Sequence, residues 1–268
     1  MEKTNLTLMI KNIFTNPNLW GSIIPMQLLG FVAIYNICNN SALPFWWIYT
    51  IIGYICVMCL GVSGCYHRLL SHKGFEVSRP IKVLMTWFAV VGGQGSPVWW
   101  VALHRGYHHR HTDKDEDPHS PRHGLIHAYI TWMFKIPNKA LNPKFVVDLL
   151  RDKDIVFFHT HYFKVLWISH ALLAFINIDL WLYGMLLPAF ITLHSFSIQT
   201  CFNHITKLGY KSYPTSDDSV NSVWLFPFIL GEAWHNNHHG DSKNTNYGGR
   251  HWWELDPTYW LIKLIRKS

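Results

Sequence analysis

Charge is scarce in this 268-residue chain: 15% of its residues are Asp, Glu, Lys or Arg, where a soluble domain carries about 25%. That shortage excludes a solvated surface over the whole molecule. No Lys or Arg occurs between Trp20 and His67, and none from Val165 to Thr206. Cysteine is also sparse. Cys38, Cys56, Cys59, Cys65 and Cys201 form no disulfide framework. Cys56 and Cys59 make a CxxC without a second pair or a nearby histidine, so they read as small buried hydrophobes. Met1 to Pro17 is polar and lacks the features of a signal peptide. The formal charge of +7 comes with no nucleic-acid recognition motif. HExxH, the zinc-hydrolase signature, is missing. No internal repeat, low-complexity tract or separate soluble domain interrupts the chain, which reads as a single domain over 1–268.

What fills the chain instead is apolar and aromatic: 49% hydrophobic residues, with 14 Trp and 12 Tyr, the types that gather at bilayer interfaces. Four apolar runs, at about 19–37, 45–64, 162–176 and 180–202, are read as membrane-spanning helices. They pair into two hairpins, whose turns at Cys38–Pro44 and Asn177–Asp179 carry no Lys or Arg. Four spans place both termini, and every basic loop, on one side, which the positive-inside rule makes the cytoplasm. Between the hairpins, Val83–Ala102 is apolar but broken by Gly92-Gly93-Gln94-Gly95-Ser96-Pro97, predicting a broken or re-entrant segment packed on protein. Gly124–Ile136 reads as an interfacial amphipathic helix. The expected fold is an all-α integral membrane protein, with a helical cytoplasmic cap on four spans.

Three histidine clusters lie on that cytoplasmic side: His67-Arg-Leu-Leu-Ser-His72, His104-Arg-Gly-Tyr-His108-His109 and His235-Asn-Asn-His238-His239. Neutral imidazole ligates iron, zinc, copper and nickel. One ion takes four to six ligands, so eight or nine histidines suit two ions. An all-nitrogen dimetal centre beside a membrane points to oxygen chemistry on a lipid.

The motifs HRLLSH, HRGYHHRH and GEAWHNNHH resemble the three histidine boxes of the membrane fatty acid desaturases. Asp117-Pro118-His119 after the second box and Gly231-Glu232-Ala233-Trp234 before the third resemble the delta-9, stearoyl-CoA desaturase-like branch. The resemblance runs from about His67 to Trp260. It implies two irons that activate O₂ and remove two hydrogens from an unactivated acyl chain, leaving a cis double bond near the middle of a C16 or C18 chain. It implies as metal ligands His67, His72, His104, His108, His109, His235, His238 and His239. A ninth falls at His204, with Thr200 where the family has asparagine; alternatively Asn203 takes the asparagine's part and the ninth histidine is missing. The substrate is a long-chain acyl-CoA or acyl-lipid. With no HPGG haem motif in the chain, electrons come from a separate ferredoxin or cytochrome b5 type donor. The compact chain reads as a bacterial inner-membrane protein rather than one of the endoplasmic reticulum. A di-iron lipid or hydrocarbon hydroxylase is the alternative outcome of the same chemistry.

Asp113, Asp117, Glu232 and Asp218 are candidate carboxylates for orienting the rings. The remaining histidines carry blander expectations. His123 and His127 are placed at the surface, and His111, His119, His159, His161 and His251 on polar faces or behind the ligands. His170 and His194, inside spans, are expected to be neutral donors to backbone carbonyls. Trp99 and Trp100 either wall an acyl tunnel or pack at the interface. Arg68, Arg105, Arg110 and Lys114 are read as positive-inside surface charge.

Overall fold

The computed structural model describes residues 16–135 and 142–267; residues 1–15, most of the polar N-terminal segment, lie outside them, as does Ile136. Among the described residues there are helices and isolated β-bridges but no strand.

Three helices are long and apolar enough to cross a membrane: α1 (Leu19–Cys38), α2 (Trp46–Ser71) and the helix Ile178–Phe202. Tyr162–Ile176, the remaining expected arm, is apolar but shorter. Outward-facing Phe31, Ile51, Ile52, Ile168, Leu172 and Phe175 are exposed; in water such a belt would be unstable, whereas lipid tails solvate it. Gly53 of α2 faces the Gly184 carbonyl, where a Cβ would collide with backbone. Small residues at such a crossing bring helices close enough for dense packing.

The second span runs further than expected. It continues past Gly64 to Ser71, so His67 sits on the spanning helix itself and His72 caps it. Its last turns are wound loosely, with His72 N–H donating to the His67 carbonyl at 3.1 Å. A turn closed by such an i→i+5 bond carries residues five apart to one face, which a 3.6-residue turn does not.

The broken segment is as expected. α3 (Arg79–Val91) and α4 (residues 97–111) are separate helices. The join needs glycine: Gly93 and Gly95 have φ of +73° and +104°, backbone that side chains disfavour. Ser96 caps α4 by accepting from Trp99 N–H, with Pro97 at its first turn. Within α4, His109 N–H again bonds five residues back, to the His104 carbonyl.

The interfacial helix is a correction. Residues 124–135 form two short pieces, Leu125–Tyr129 and Thr131–Phe134, broken at Ile130 where φ is −147°. The first piece is tied to the last span: Thr200 Oγ1 donates to the Ala128 carbonyl at 3.0 Å, and Cys201 Sγ to the Leu125 carbonyl. These bonds compete with continuing the helix.

α5 (Tyr162–Ile176) and α6 (Ile178–Phe202) form the second hairpin, joined at Asn177, whose side chain accepts from Leu180 N–H. The third histidine cluster lies on α7 (His235–Gly240), and α8 (Pro257–Ile265) packs back against the histidine-bearing half of α2.

Candidate metal centre

Four pieces of chain meet at one end of the helices: the end of α2, the middle of α4, the residues just beyond α6, and α7. They bring nine imidazoles together in two groups. His67, His72, His104, His109 and His238 form one; His108, His204, His235 and His239 form the other. These are the nine histidines expected from the sequence. Within each group the ligand nitrogens lie within 4.8 Å of one another.

Proton placement tests whether the rings fit a metal. His67 Nδ1 lies 3.0 Å from Glu232 Oε2, and His108 Nδ1 lies 3.1 Å from Asp117 Oδ2. His204 Nδ1 lies 3.0 Å from Asp113, and His239 Nδ1 lies 3.2 Å from Asp217. A carboxylate only accepts, so Nδ1 of His108, His204 and His239 carries the proton and their Nε2 presents a lone pair, while His67 Nδ1 stands at ion-pair distance without a formed hydrogen bond. Yet the Nε2 atoms converge. His72 and His104 are 2.8 Å apart at Nε2, as are His109 and His238. His204 and His239 approach His235 Nε2 at 2.9 and 3.0 Å. At these distances each pair of ring nitrogens needs either a shared proton or a cation between them. Metal–imidazole bonds of about 2.0–2.1 Å would set adjacent ligand nitrogens about 3 Å apart, the spacing present here. The donor set therefore fits metal in both groups.

Electrostatics keeps most of these rings neutral, as ligands must be. Burial, then the neighbouring rings, push His104, His109, His235 and His238 well below the usual histidine value. The same causes bring His72 down to about 2. His239 falls to about 4, burial outweighing its partner Asp217. His204 departs: burial would lower it, but Asp113, with Asp117 and Asp217 behind, raises it. Glu232 would be raised by burial, but His67 and Arg68 bring it down to about 2.

The structure sorts the supporting residues. Asp113, Asp117 and Glu232 orient rings as expected. Asp218 does not: its carboxylate accepts from Arg122 at 2.6 and 2.9 Å on the surface. Its neighbour Asp217 faces His239 instead, a one-residue shift that loop sequence does not encode. Gln199, also missed, reaches Glu232 at 3.3 Å and His235 Nδ1 at 2.9 Å. Its charge-free setting inside a span gave no signal. Asn203 donates to the Glu232 carbonyl at 3.0 Å and joins neither histidine group, while Thr200 is engaged with Ala128. Of the two readings of this segment, the geometry brings His204 to the group.

Arg68 is the largest correction. It is 1% exposed, not a surface charge. It donates to Asp256 at 2.6 Å, to Glu232 at 3.2 Å and to the Thr245 carbonyl, and lies over the Tyr247 ring. Burial this deep requires such pairing. Arg105 is also partly buried, held by Asp148 and the carbonyls of Ser71 and Phe145. Arg110 and Lys114 are exposed, as expected. His119 packs beside His108, with its Nδ1 3.5 Å from Asp117. His170 faces the Val91 carbonyl at 3.0 Å, as expected; His194 pairs with Tyr129 Oη instead.

An apolar cavity leads to this centre. Trp99, Trp100, Leu103, Trp132, Leu193 and Phe196 line it, and its inner end exposes His67, His104, His108 and His235. The two tryptophans are thus cavity walls, and Trp100 stacks on His104 at 5.0 Å.

Comparison with known proteins gives this geometry a family. The model of the fatty acid desaturase family matches residues 44–266. A delta-9 desaturase-like 4 protein of Arabidopsis thaliana is 32% identical over 259 residues, 92% of this chain and 83% of the relative. An sn-2 palmitoyl-lipid 9-desaturase of Nostoc sp. (strain 36) is 33% identical over 228 residues, covering 82% of this chain and 75% of the relative. An sn-1 stearoyl-lipid 9-desaturase of Anabaena variabilis is 30% identical over 211 residues, covering 77% and 75%. An apolar cavity ending on two convergent histidine groups, on membrane helices, is the setting a His-ligated di-iron lipid oxidoreductase needs, and the chain belongs to the fatty acid desaturase family, in its delta-9 branch.

Proposed function

We propose that this desaturase holds two irons, one in the group His67, His72, His104, His109 and His238, the other in the group His108, His204, His235 and His239. The substrate is a saturated C16 or C18 acyl chain carried on a glycerolipid, and the product has a cis double bond at the delta-9 position. The observation that carries this reading is the cavity: an apolar pocket lined in part by ligand histidines of both groups. The relatives named as acyl-lipid desaturases support the choice of substrate.

Bound iron would supply O₂ activation and the oxidising equivalents for removing two hydrogens. The chain's own residues supply the rest. Trp99, Trp100, Leu193 and Phe196 exclude water and hold methylenes in line. Asp113, Asp117, Asp217 and Glu232 fix the tautomer and angle of four ligand rings. Burial keeps His72, His104, His109, His235, His238 and His239 neutral without metal.

The reading extends to topology. Tyr162–Ile176 joins the three longer helices as a fourth span, its exposed Leu172 and Phe175 in lipid, and the chain is one domain over 1–268. Both termini and the metal centre lie on the cytoplasmic side of a bacterial inner membrane, and a ferredoxin or cytochrome b5 type protein delivers electrons. The test is expression in a host lacking its own desaturase, with a competent donor present, and mass spectrometry of total fatty acids with double-bond localisation. Delta-9 monounsaturated C16 and C18 chains are expected. Hydroxylated chains without unsaturated ones would assign the hydroxylase outcome instead.

A further inference from the structure

Beside the acyl cavity lies a second, open pocket, lined by Tyr107, Asp115, Glu116, His123, His127 and Lys135 among others. The two share a wall made by Leu103 and Trp132. A chain lying in the inner cavity with its polar end toward Trp132 would therefore bring that end beside the outer pocket. Trp132 Nε1 is buried without a hydrogen-bond partner, a condition that costs free energy unless a ligand relieves it. Trp99 Nε1 and Gln94 Nε2 are also unpartnered, but both lie in the inner cavity only. A saturated acyl chain offers one acceptor, its carbonyl oxygen, at its polar end. Trp132 alone of the three stands where that end crosses.

The outer pocket is rich in acceptors. Asp115 and Glu116 are exposed carboxylates. His127 Nε2 donates to the Pro118 carbonyl at 2.8 Å, which leaves Nδ1, buried and unpartnered, as an acceptor. Burial holds His127 below its ordinary value and thus neutral. Lys135 is the cation of this pocket among its described lining residues. A nucleotide thioester brings a diphosphate and a further phosphate, each strongly anionic, toward two carboxylates. A headgroup rich in donors, with sugar hydroxyls or an ammonium, matches the acceptors instead, and any single phosphate has Lys135.

We propose that this outer pocket seats the headgroup of a glycerolipid without net negative charge, glycosyl or zwitterionic, and that Trp132 Nε1 donates to the substrate's ester carbonyl. The proposal rests on the desaturase reading above and specifies its substrate end.

The test uses the full-length, iron-loaded protein in lipid nanodiscs. Displacement of a spin-labelled stearoyl lipid is measured with four probes: stearoyl galactosyl diacylglycerol, stearoyl phosphatidylethanolamine, the ether-linked analogue of the latter, and stearoyl-CoA. The two ester lipids are expected to bind more tightly than stearoyl-CoA. Trp132→Phe keeps the ring and removes the donor; it is expected to weaken the ester lipids by roughly fivefold, the worth of one neutral hydrogen bond, and to leave the ether analogue unchanged. The double variant Asp115→Lys with Glu116→Lys should tighten stearoyl-CoA binding. Equal losses for ester and ether in Trp132→Phe, or tighter wild-type binding of stearoyl-CoA than of either lipid, would overturn the proposal. Failure of the desaturase reading would show separately, as binding by none of the probes together with an unchanged fatty acid profile in the expression host.

Discussion

Five imidazoles face one point of the centre and four face the other, and the two groups are supported by different means. The five-histidine group leans on the membrane helices. His67 comes from a spanning helix, and its carboxylate, Glu232, is 1% exposed. That acid accepts from Ser63 Oγ and Arg68, and Arg68 is held in turn by Asp256. The four-histidine group leans on loops. Asp113, Asp117 and Asp217 each serve one ring, and Asp113 sits at a left-handed φ of 58°, a conformation Asp tolerates better than most residues. α4 and α7 contribute to both groups. The contrast shows two routes to an oriented imidazole: a buried acid charge-paired with a buried arginine, or acids set in loop turns.

The comparison breaks most visibly at the ligands. His204→Ala leaves three imidazoles in the smaller group, and iron content should fall from about two to about one per chain, with activity lost. His72→Ala leaves four in the larger group, which should keep its iron. Metal analysis of the two purified variants checks this, and equal losses would remove the asymmetry. The next largest effect is on stability. Arg68→Met strands two buried carboxylates, at a cost of about 3–5 kcal/mol. Breaking the exposed Arg122–Asp218 pair with Arg122→Met should cost at most about 1 kcal/mol. Thermal or denaturant unfolding of the two variants side by side measures the difference.

Substituting the orienting acids should act on one group at a time. Glu232→Gln should weaken iron at the five-histidine group, and Asp217→Asn at the four-histidine group, each by about 10–100-fold. Asp218→Asn, one residue away, should change neither; chelator competition reads all three. The smallest effect concerns pH. His204 is raised and so keeps a proton to higher pH, whereas His239, at about 4, and His72, at about 2, do not. A raised value makes the proton a competitor from that pH downward, so metal binding at the four-histidine group must release it. As pH falls through that raised value, iron should leave that group first. Iron retention followed across a pH series in wild type and His204→Gln checks the order of loss.

The helical fold and the nine candidate ligands were legible because each rests on local pattern. Unbroken apolar runs announce spans, and His pairs at tight spacing announce shared faces. What escaped depends on who lies opposite whom. Arg68 follows a box histidine at the end of a span, where a basic residue reads as interfacial charge. Only the return of Glu232 and Asp256 from distant chain makes it a buried cation. Asp217 and Asp218 are indistinguishable in a loop, and backbone placement alone decides which meets His239. His194 sits on an apolar helix like His170, yet its partner is Tyr129 of the short helix and not a carbonyl. The five-residue spacings 67–72 and 104–109 make sense only with i→i+5 turns, which residue type does not announce. The amphipathic pattern of 124–135 was present, but the helix it suggested breaks at Ile130, where the backbone leaves helical geometry.

The central claim is that two irons occupy two distinct histidine groups. Anomalous diffraction from crystals of the iron-loaded protein, with data collected on both sides of the iron absorption edge, tests it most directly. The account predicts two iron peaks: one among the Nε2 atoms of His67, His72, His104, His109 and His238, and one among those of His108, His204, His235 and His239. A single peak, or peaks that persist below the iron edge as zinc would give, would contradict it.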